Sequence, residues 1–296
     1  MPRRPGHPEA AGALARLKGA QFLFEVRDLW PACAVGVGVL RHPLLIRLSE
    51  ALERFLYRRA DRVMVNSPGF LEHVRSRGAR KVELVPNGAD PRMFDPQDRG
   101  EAYRRSHGLE DKFVALYAGA HGLSNDLGVL LDAAGQLRSR PDIAIALLGD
   151  GKEKPALMAL ALERGLENVH FLPPVAKLAM AEALAASDAC IALLKPIPLY
   201  ATVYPNKVFD YMAAGRPVIL AIDGVIRQVV EEAGAGQFVQ PGDPGRLAEA
   251  IEWMADHPEE RGAMGQRGRA AIEAHFDRSA LAGQLLRILE DMVSQA

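Results

Sequence analysis

The segment TVYPNKVFDYMAAGRPVIL (202–220) gathers side chains that can do chemistry together. Asn206 can cap a helix that opens at Lys207, and Pro205 stiffens the approach to it. The unpaired amides of such a helix start, with the Lys207 ammonium, form a site for an anion. Asp210 follows about one turn later, where a carboxylate can accept two hydrogen bonds from a vicinal diol. Phosphate-seeking groups beside a diol-seeking group describe a nucleoside diphosphate with its ribose. The same residues also fit a plain N-capped helix with solvated charges.

Three further loops carry candidates. In YAGAHGLSND (117–126) an apolar run meets small residues, and Gly119 and Gly122 let backbone approach a ligand. Such turns are common, and taken alone this one is weak. In LLGDGKEK (147–154), Gly149 and Gly151 bracket Asp150, with Lys152 and Lys154 close by. It reads either as a tight turn with an Asp cap and solvated lysines or as one wall of a nucleotide cleft. EVRDLWP (25–31) places Arg27 and Asp28 just after a strand, where catalytic groups of α/β proteins cluster, although a local Arg–Asp surface pair is an equal reading.

Other chemistries are excluded. Gly36-Val37-Gly38-Val39-Leu40-Arg41 lacks the third glycine of a dinucleotide fingerprint, and no acidic residue is suitably placed after a second strand. The chain has no GxSxG, HExxH or GxxxxGK[ST], and its histidines show no ligand spacing. Cys33 and Cys190 are isolated, which offers neither a disulfide framework nor a zinc site and fits a reducing cytoplasm.

Loops of this kind need parallel strands to hold them. FLFEV (22–26), RVMVN (62–66), VELVP (82–86), FVALYAG (113–119), IAIALLG (143–149), VHFL (169–172), ACIALL (189–194), PVILAI (217–222) and GQFV (236–239) read as strands. Helical patterns fit 44–60, 68–77, 126–138, 152–165, 176–186, 206–214, 225–233, 244–256, 258–275 and 279–294, and residues 11–20 read as a helix tail. Near-continuous apolar strands alternating with helices predict an α/β protein with parallel sheets covered on both faces.

A length of 296 residues suits two domains at about 150 residues each. The polar stretch Asp95 to Asp111 marks the expected boundary: 1–108, 109–277, and a final helix in 278–296. The net charge of −1 hides a split, with 19 Lys and Arg against 12 Asp and Glu up to residue 108, and 17 against 25 beyond it. A nucleic-acid-binding protein would not divide this way, so no nucleic acid is expected. No apolar run approaches the roughly 18 residues of a membrane span, and the basic start MPRRPGHPEA lacks the apolar core of a signal peptide.

The order of FEVRDLWP, LERFLYRRADRVMVNSPGF, VELVPNGAD, LYAGAHGL, LLGDGKEK, VHFLPPV, PNKVFDYMAAGRPVI and GAGQFVQPGDP resembles the retaining family-4 glycosyltransferases of the GT-B fold, in the branch that builds surface polysaccharide and O-antigen. That resemblance runs from about Gln21 to Val293 and implies two Rossmann-like domains, the second binding the nucleotide sugar. It places phosphate contacts at Lys207 and the amides near Asn206 and Pro205, the ribose at Asp210, and the base on backbone around Phe171 and Leu172. Arg27 and Asp28 become the catalytic candidates, with Arg27 where many members have a histidine. The implied donor is a UDP-sugar and the implied acceptor a lipid-linked sugar; no metal or other cofactor is expected.

The sequence departs from the family at several points. Thr202 stands where the family's Glu pairs with the acid at 210, and Ala120 and Asn125 replace a common Arg and Lys. About 100 residues of the family's glycine-rich first domain have no counterpart, so the N-terminal domain reads as incomplete. An inactive or split nucleotide-sugar-binding subunit is therefore an alternative, and a GT-B sugar-nucleotide epimerase a weaker one. Arg41, Arg47, Arg54, Arg58 and Arg59 alternate with Leu44, Leu45, Leu48, Phe55 and Leu56 in 41–59, a basic amphipathic pattern that can rest on the inner face of the plasma membrane.

Overall fold

The computed structural model describes residues 15 and 17–295; most of the helix tail expected at 11–20 lies outside them. The chain divides into two compact units. Met1–Asn87, Thr202–Tyr204 and Ser279–Ala296 form the first, and Gly88–Ala201 and Pro205–Arg278 the second.

The first unit holds a parallel sheet of β1 (Leu23–Val26), β2 (Arg62–Val65) and β3 (Val82–Leu84), in that order. The helix Pro43–Arg59 joins β1 to β2 and buries Leu56 and Tyr57. It also buries Glu53, whose carboxylate accepts from the Tyr57 hydroxyl (3.0 Å) and lies 2.7 Å from both His73 and Arg77. On β2 the Arg62 guanidinium, 7% exposed, donates to Glu83 and to Asp291 of the last helix, Arg278–Ser294.

The second unit is a six-stranded parallel sheet: β4 (Phe113–Ala118), β5 (Ile143–Leu148), β6 (Val169–Leu172), β7 (Ala189–Leu193), β8 (Val218–Ala221) and β9 (Gly236–Phe238). Their spatial order is β6-β5-β4-β7-β8-β9. This is the doubly wound order, and the winding reverses between β4 and β7, where the carboxyl ends leave a crevice. Every residue of β4, β5, β7 and β8 is buried, which explains their unbroken apolar sequences. Helices Leu127–Gln136 and Pro244–Asp256 cover one face through Leu130, Leu131, Leu247 and Ile251. Helices Asn206–Ala213 and Pro258–His275 pack against each other, with Phe209 5.0 Å from Phe276.

All nine expected strands form. The units change over at Asn87–Gly88, ahead of residue 108. The intervening polar stretch packs into the second unit because it carries its own anchors: Phe94 and Leu109 are buried, and Arg104 of the short helix Glu101–Ser106 donates to the Lys112 carbonyl and to Asp188. The single helix expected at 68–77 is a 3₁₀ turn, Pro68–Phe70, followed by Leu71–Ser76. Ser67 caps this turn by accepting from Gly69.

Two glycines of the crevice differ sharply in what they permit. A Cβ on Gly149 (φ +142°) would stand 1.9 Å from the Gly119 carbonyl oxygen, whereas one on Gly122 (φ −122°) would meet nothing nearer than 3.9 Å. Gly149→Ala should therefore lower stability by at least about 2 kcal/mol, and Gly122→Ala by less than about 0.5 kcal/mol. Denaturant midpoints of the two variants test this, and equal midpoints would refute the packing argument.

Candidate functional site

The crevice is built from the residue that ends each strand. Tyr117 lies buried in β4 and donates its hydroxyl to the Ala120 carbonyl at 2.7 Å. Gly119 follows with φ +151°, and a Cβ there would come within 2.8 Å of the Lys207 ammonium. Beneath, Tyr211 is fully buried and fixes the end of β4, accepting from the Ala118 amide (2.9 Å) and donating to its carbonyl (3.0 Å). Glycine at 119 thus leaves room for the Lys207 ammonium against the end of β4.

Lys207 comes from the helix Asn206–Ala213. Asn206 was expected to cap this helix; instead it is the first helical residue, exposed, and its side chain caps nothing. Pro205 occupies the cap position with φ −67° and ψ 121°, and its fixed ring starts the helix one residue early. Proline has no amide, and the Val208 amide turns back to the Pro205 carbonyl, so the amides of Asn206 and Lys207 stand at the open end.

The Lys207 ammonium is sealed from solvent and makes no hydrogen bond among the described residues. It sits 4.0 Å above the centre of the Tyr117 ring, whose negative face is its nearest compensation. Burial pulls its pKa down to about 7. On the same helix Asp210 is half-buried, with its carboxyl raised by burial while Arg278, 3.9 Å away, and Lys177 oppose the shift.

His121 joins these residues without having been singled out in the sequence. It is wholly buried, and neither ring nitrogen has a hydrogen-bond partner among the described residues. Its ring lies 6.0 Å from Tyr117 and 6.4 Å from Phe171. Burial, reinforced by Lys154 and Lys207, lowers its pKa to about 4, so the ring is neutral at physiological pH. The backbone locks it: the His121 amide donates to the Asp150 carbonyl (2.8 Å), and its carbonyl accepts from Glu153 (3.0 Å). The available signal was a histidine between two glycines directly after a buried strand, which a search for paired ligands passes over.

The loop after β5 mixes the two readings it admitted. The Asp150 side chain caps the turn by accepting from Gly151 at 2.8 Å, and Lys152 is exposed. Lys154 is not solvated: it donates to the carbonyls of Gly149 (2.7 Å) and Leu172 (3.0 Å) and ties β5 to β6. The Leu172 carbonyl, expected to face a base, also accepts from the Gly149 amide and is committed inside the sheet. Hydrogen bonding alternates along an edge strand, so the peptide groups of Phe171 turn away from β5.

Arg27 and Asp28 belong to the first unit, in the turn after β1, and both are exposed. The Arg27–Asp28 surface pair does not form; the acid nearest the Arg27 guanidinium is Glu25, at 3.9 Å. Gly119, Gly149, Lys207 and Asp210 come together in the second unit with Tyr117 and His121.

The family model described as glycosyl transferases group 1 matches residues 100–271, and that of a glycosyl transferase 4-like domain matches residues 5–88. A D-inositol 3-phosphate glycosyltransferase of Nocardioides is 31% identical over 194 residues, 60% of this chain and 41% of its own length. The D-rhamnosyltransferase WbpZ of Pseudomonas aeruginosa is 25% identical, with 80% of this chain and 61% of its own covered. The chain spans about half the length of the relatives it matches. Among solved structures, HepE of Anabaena in complex with UDP superposes with a TM-score of 0.80 at 20% identity, covering 96% of this chain and 76% of that one. Its parallel α/β architecture is that of the GT-B fold, and the chain belongs to the group 1 glycosyl transferases.

Proposed function

We propose that the second unit binds the nucleoside diphosphate of a UDP-sugar and that the chain is a retaining glycosyltransferase. The observation that carries this reading is the Lys207 ammonium, sealed and without a hydrogen-bond partner at the point where the winding of the sheet reverses. A buried cation in that state costs stability, and an anion brought to it removes the cost. Lys207 and the amides of Asn206 and Lys207 take the phosphates, Asp210 takes the ribose diol, and Gly119, Gly122 and Gly149 let the ligand approach backbone. The base lies along Phe171, whose peptide groups face the open edge, beside Leu172. That HepE was solved in complex with UDP supports a UDP-type donor.

In the reaction the bond from the anomeric carbon to the phosphate oxygen breaks, and a bond from the same carbon to the acceptor oxygen forms on the same face. The acceptor proton passes to the leaving phosphate, so no protein base is required. Arg27 and Asp28 are assigned to the reacting groups, Arg27 to stabilise developing negative charge. Charge neutralisation falls to Lys207 and the helix amides rather than to a metal.

We assign the acceptor as a lipid-linked sugar of surface-polysaccharide synthesis; a relative in Escherichia coli, 26% identical, is named a putative colanic acid biosynthesis glycosyl transferase. No helix among the described residues is long and apolar enough to cross a membrane. In the first unit, however, Leu44, Leu45, Leu48, Leu52 and Phe55 of one helix are exposed beside Arg47, Arg58 and Arg59. Such a face suits contact with an anionic leaflet. Leu48→Glu should abolish most sedimentation with phosphatidylglycerol vesicles, and unchanged sedimentation would reject membrane contact through this helix.

Isothermal titration tests the donor site. UDP should bind the parent, and Lys207→Ala should weaken binding by about 1–3 kcal/mol. A parent that does not bind UDP, or a variant that binds it equally well, refutes the assignment.

The pH dependence has a definite sign. In the free chain Lys207 loses its proton near pH 7, and an anion holds that proton on, so binding above pH 7 takes one up. UDP affinity should fall by up to about tenfold per unit between pH 7 and 9. Lys207→Met should flatten this limb, and a parent profile as flat as the variant's would show that Lys207 does not contact the ligand.

A further inference from the structure

At the amino ends of the strands of the second unit, opposite the crevice, lies a cavity of about 510 Å³. Asp188, the residue before β7, and Arg216, two residues before β8, line it with Arg99, Arg104 and Arg261. These residues are far apart in sequence, and four guanidinium groups converge on one space.

Their charge is not balanced locally. Asp188 receives Arg104 at 2.7 Å, approaches Arg261 at 3.6 Å, and accepts the Val114 amide at 2.8 Å. The other carboxylate of the lining, Glu101, lies 3.7 Å from Arg105. Arg99 is exposed and makes no hydrogen bond or ion pair among the described residues. Four cations thus face two carboxylates.

The donor inventory shows the same deficit. Arg216 is 4% exposed. Its Nε and Nη2 donate to the carbonyls of Leu184, Ala185 and Asp98, and none of these bonds uses Nη1. Arg104 keeps a sealed Nε without a partner. Burial lowers the pKa of both Arg216 and Arg261; Asp188 opposes the shift, while repulsion from Arg99 and Arg104 adds to it. A buried guanidinium with an unused donor, turned to a cavity that already holds an excess of cations, is the arrangement that bidentate recognition of phosphate requires.

We infer that this cavity is a second anion site, separate from the donor crevice, for the phosphoryl group of a small phosphorylated metabolite. The volume admits a sugar phosphate or a similar molecule, within the range of about 300–1,000 Å³ usual for such ligands. Because Arg99 and Glu101 come from the stretch 95–111 and Arg261 from the start of the helix Pro258–His275, an anion here would join these two segments at the base of the sheet.

The test uses the full chain with UDP at saturation, so that the donor crevice is filled, and titrates inorganic phosphate and glycerol 3-phosphate against chloride of equal ionic strength. Both should bind and raise the melting temperature. Arg99→Glu should weaken binding by about tenfold or more while melting no lower than the parent in chloride, because Arg99 makes no bond among the described residues and its charge repels its neighbours. Lys207→Ala should bind phosphate as the parent does, which keeps the outcome independent of the donor-site assignment. Phosphatidylcholine vesicles with and without phosphatidic acid form the second arm. Vesicle binding that Arg99→Glu abolishes, with no response to the free anions, would replace the metabolite with a lipid headgroup. No phosphate binding in either arm, or equal binding by Arg99→Glu, overturns the site.

Discussion

The Gly119 carbonyl occupies the volume that a Cβ on residue 149 would need, and β4 and β5 can end this close together only because that atom is missing. The rim of the second unit follows from this contact. Glycine at 119 leaves the path for the Lys207 side chain, and Gly151 lets the backbone of His121 lie against the next loop. Lys154 then ties the carbonyls of Gly149 and Leu172, so the ends of β5 and β6 are held as one edge. A crevice made this way owes its shape to main chain, which cannot repack as side chains do.

That rigid frame holds groups that would otherwise be unfavourable. The Lys207 ammonium and both nitrogens of His121 are buried without hydrogen bonds within one small region. Each such group costs about 1–3 kcal/mol, and native proteins hold few of them. The four wholly buried strands of the same unit supply the apolar burial that offsets the cost. Stability and ligand binding are set against each other here: groups that weaken the free protein are those that a bound anion would satisfy.

The architecture was legible because parallel strands buried on both faces leave continuous apolar runs, and all nine appear where those runs lie. Gly119, Gly149 and Lys207 could be placed at one rim because each follows a strand or opens a helix at the carboxyl side of the sheet, although the sequence left their purpose open. Local competition hid the rest. Asn206 looked like a cap until the ring of Pro205 took that place, and Lys154 looked solvated until two carbonyls faced it. The helix Glu101–Ser106 is too short and polar to show a period, yet Arg104 anchors it through Asp188, 84 residues away. The arginines at 99, 104, 216 and 261 share a cavity only through the order of the strands, which no spacing in the chain reveals.

Arg62 makes the first sheet depend on a distant stretch of the sequence. It lies in the central strand of that sheet, and its two carboxylate partners are Glu83 and, 229 residues further on, Asp291. A buried guanidinium with half of its compensation missing is strongly unfavourable. The first sheet is therefore only as secure as the docking of Arg278–Ser294: fraying of that helix would strand a guanidinium in β2 rather than merely uncover an apolar face.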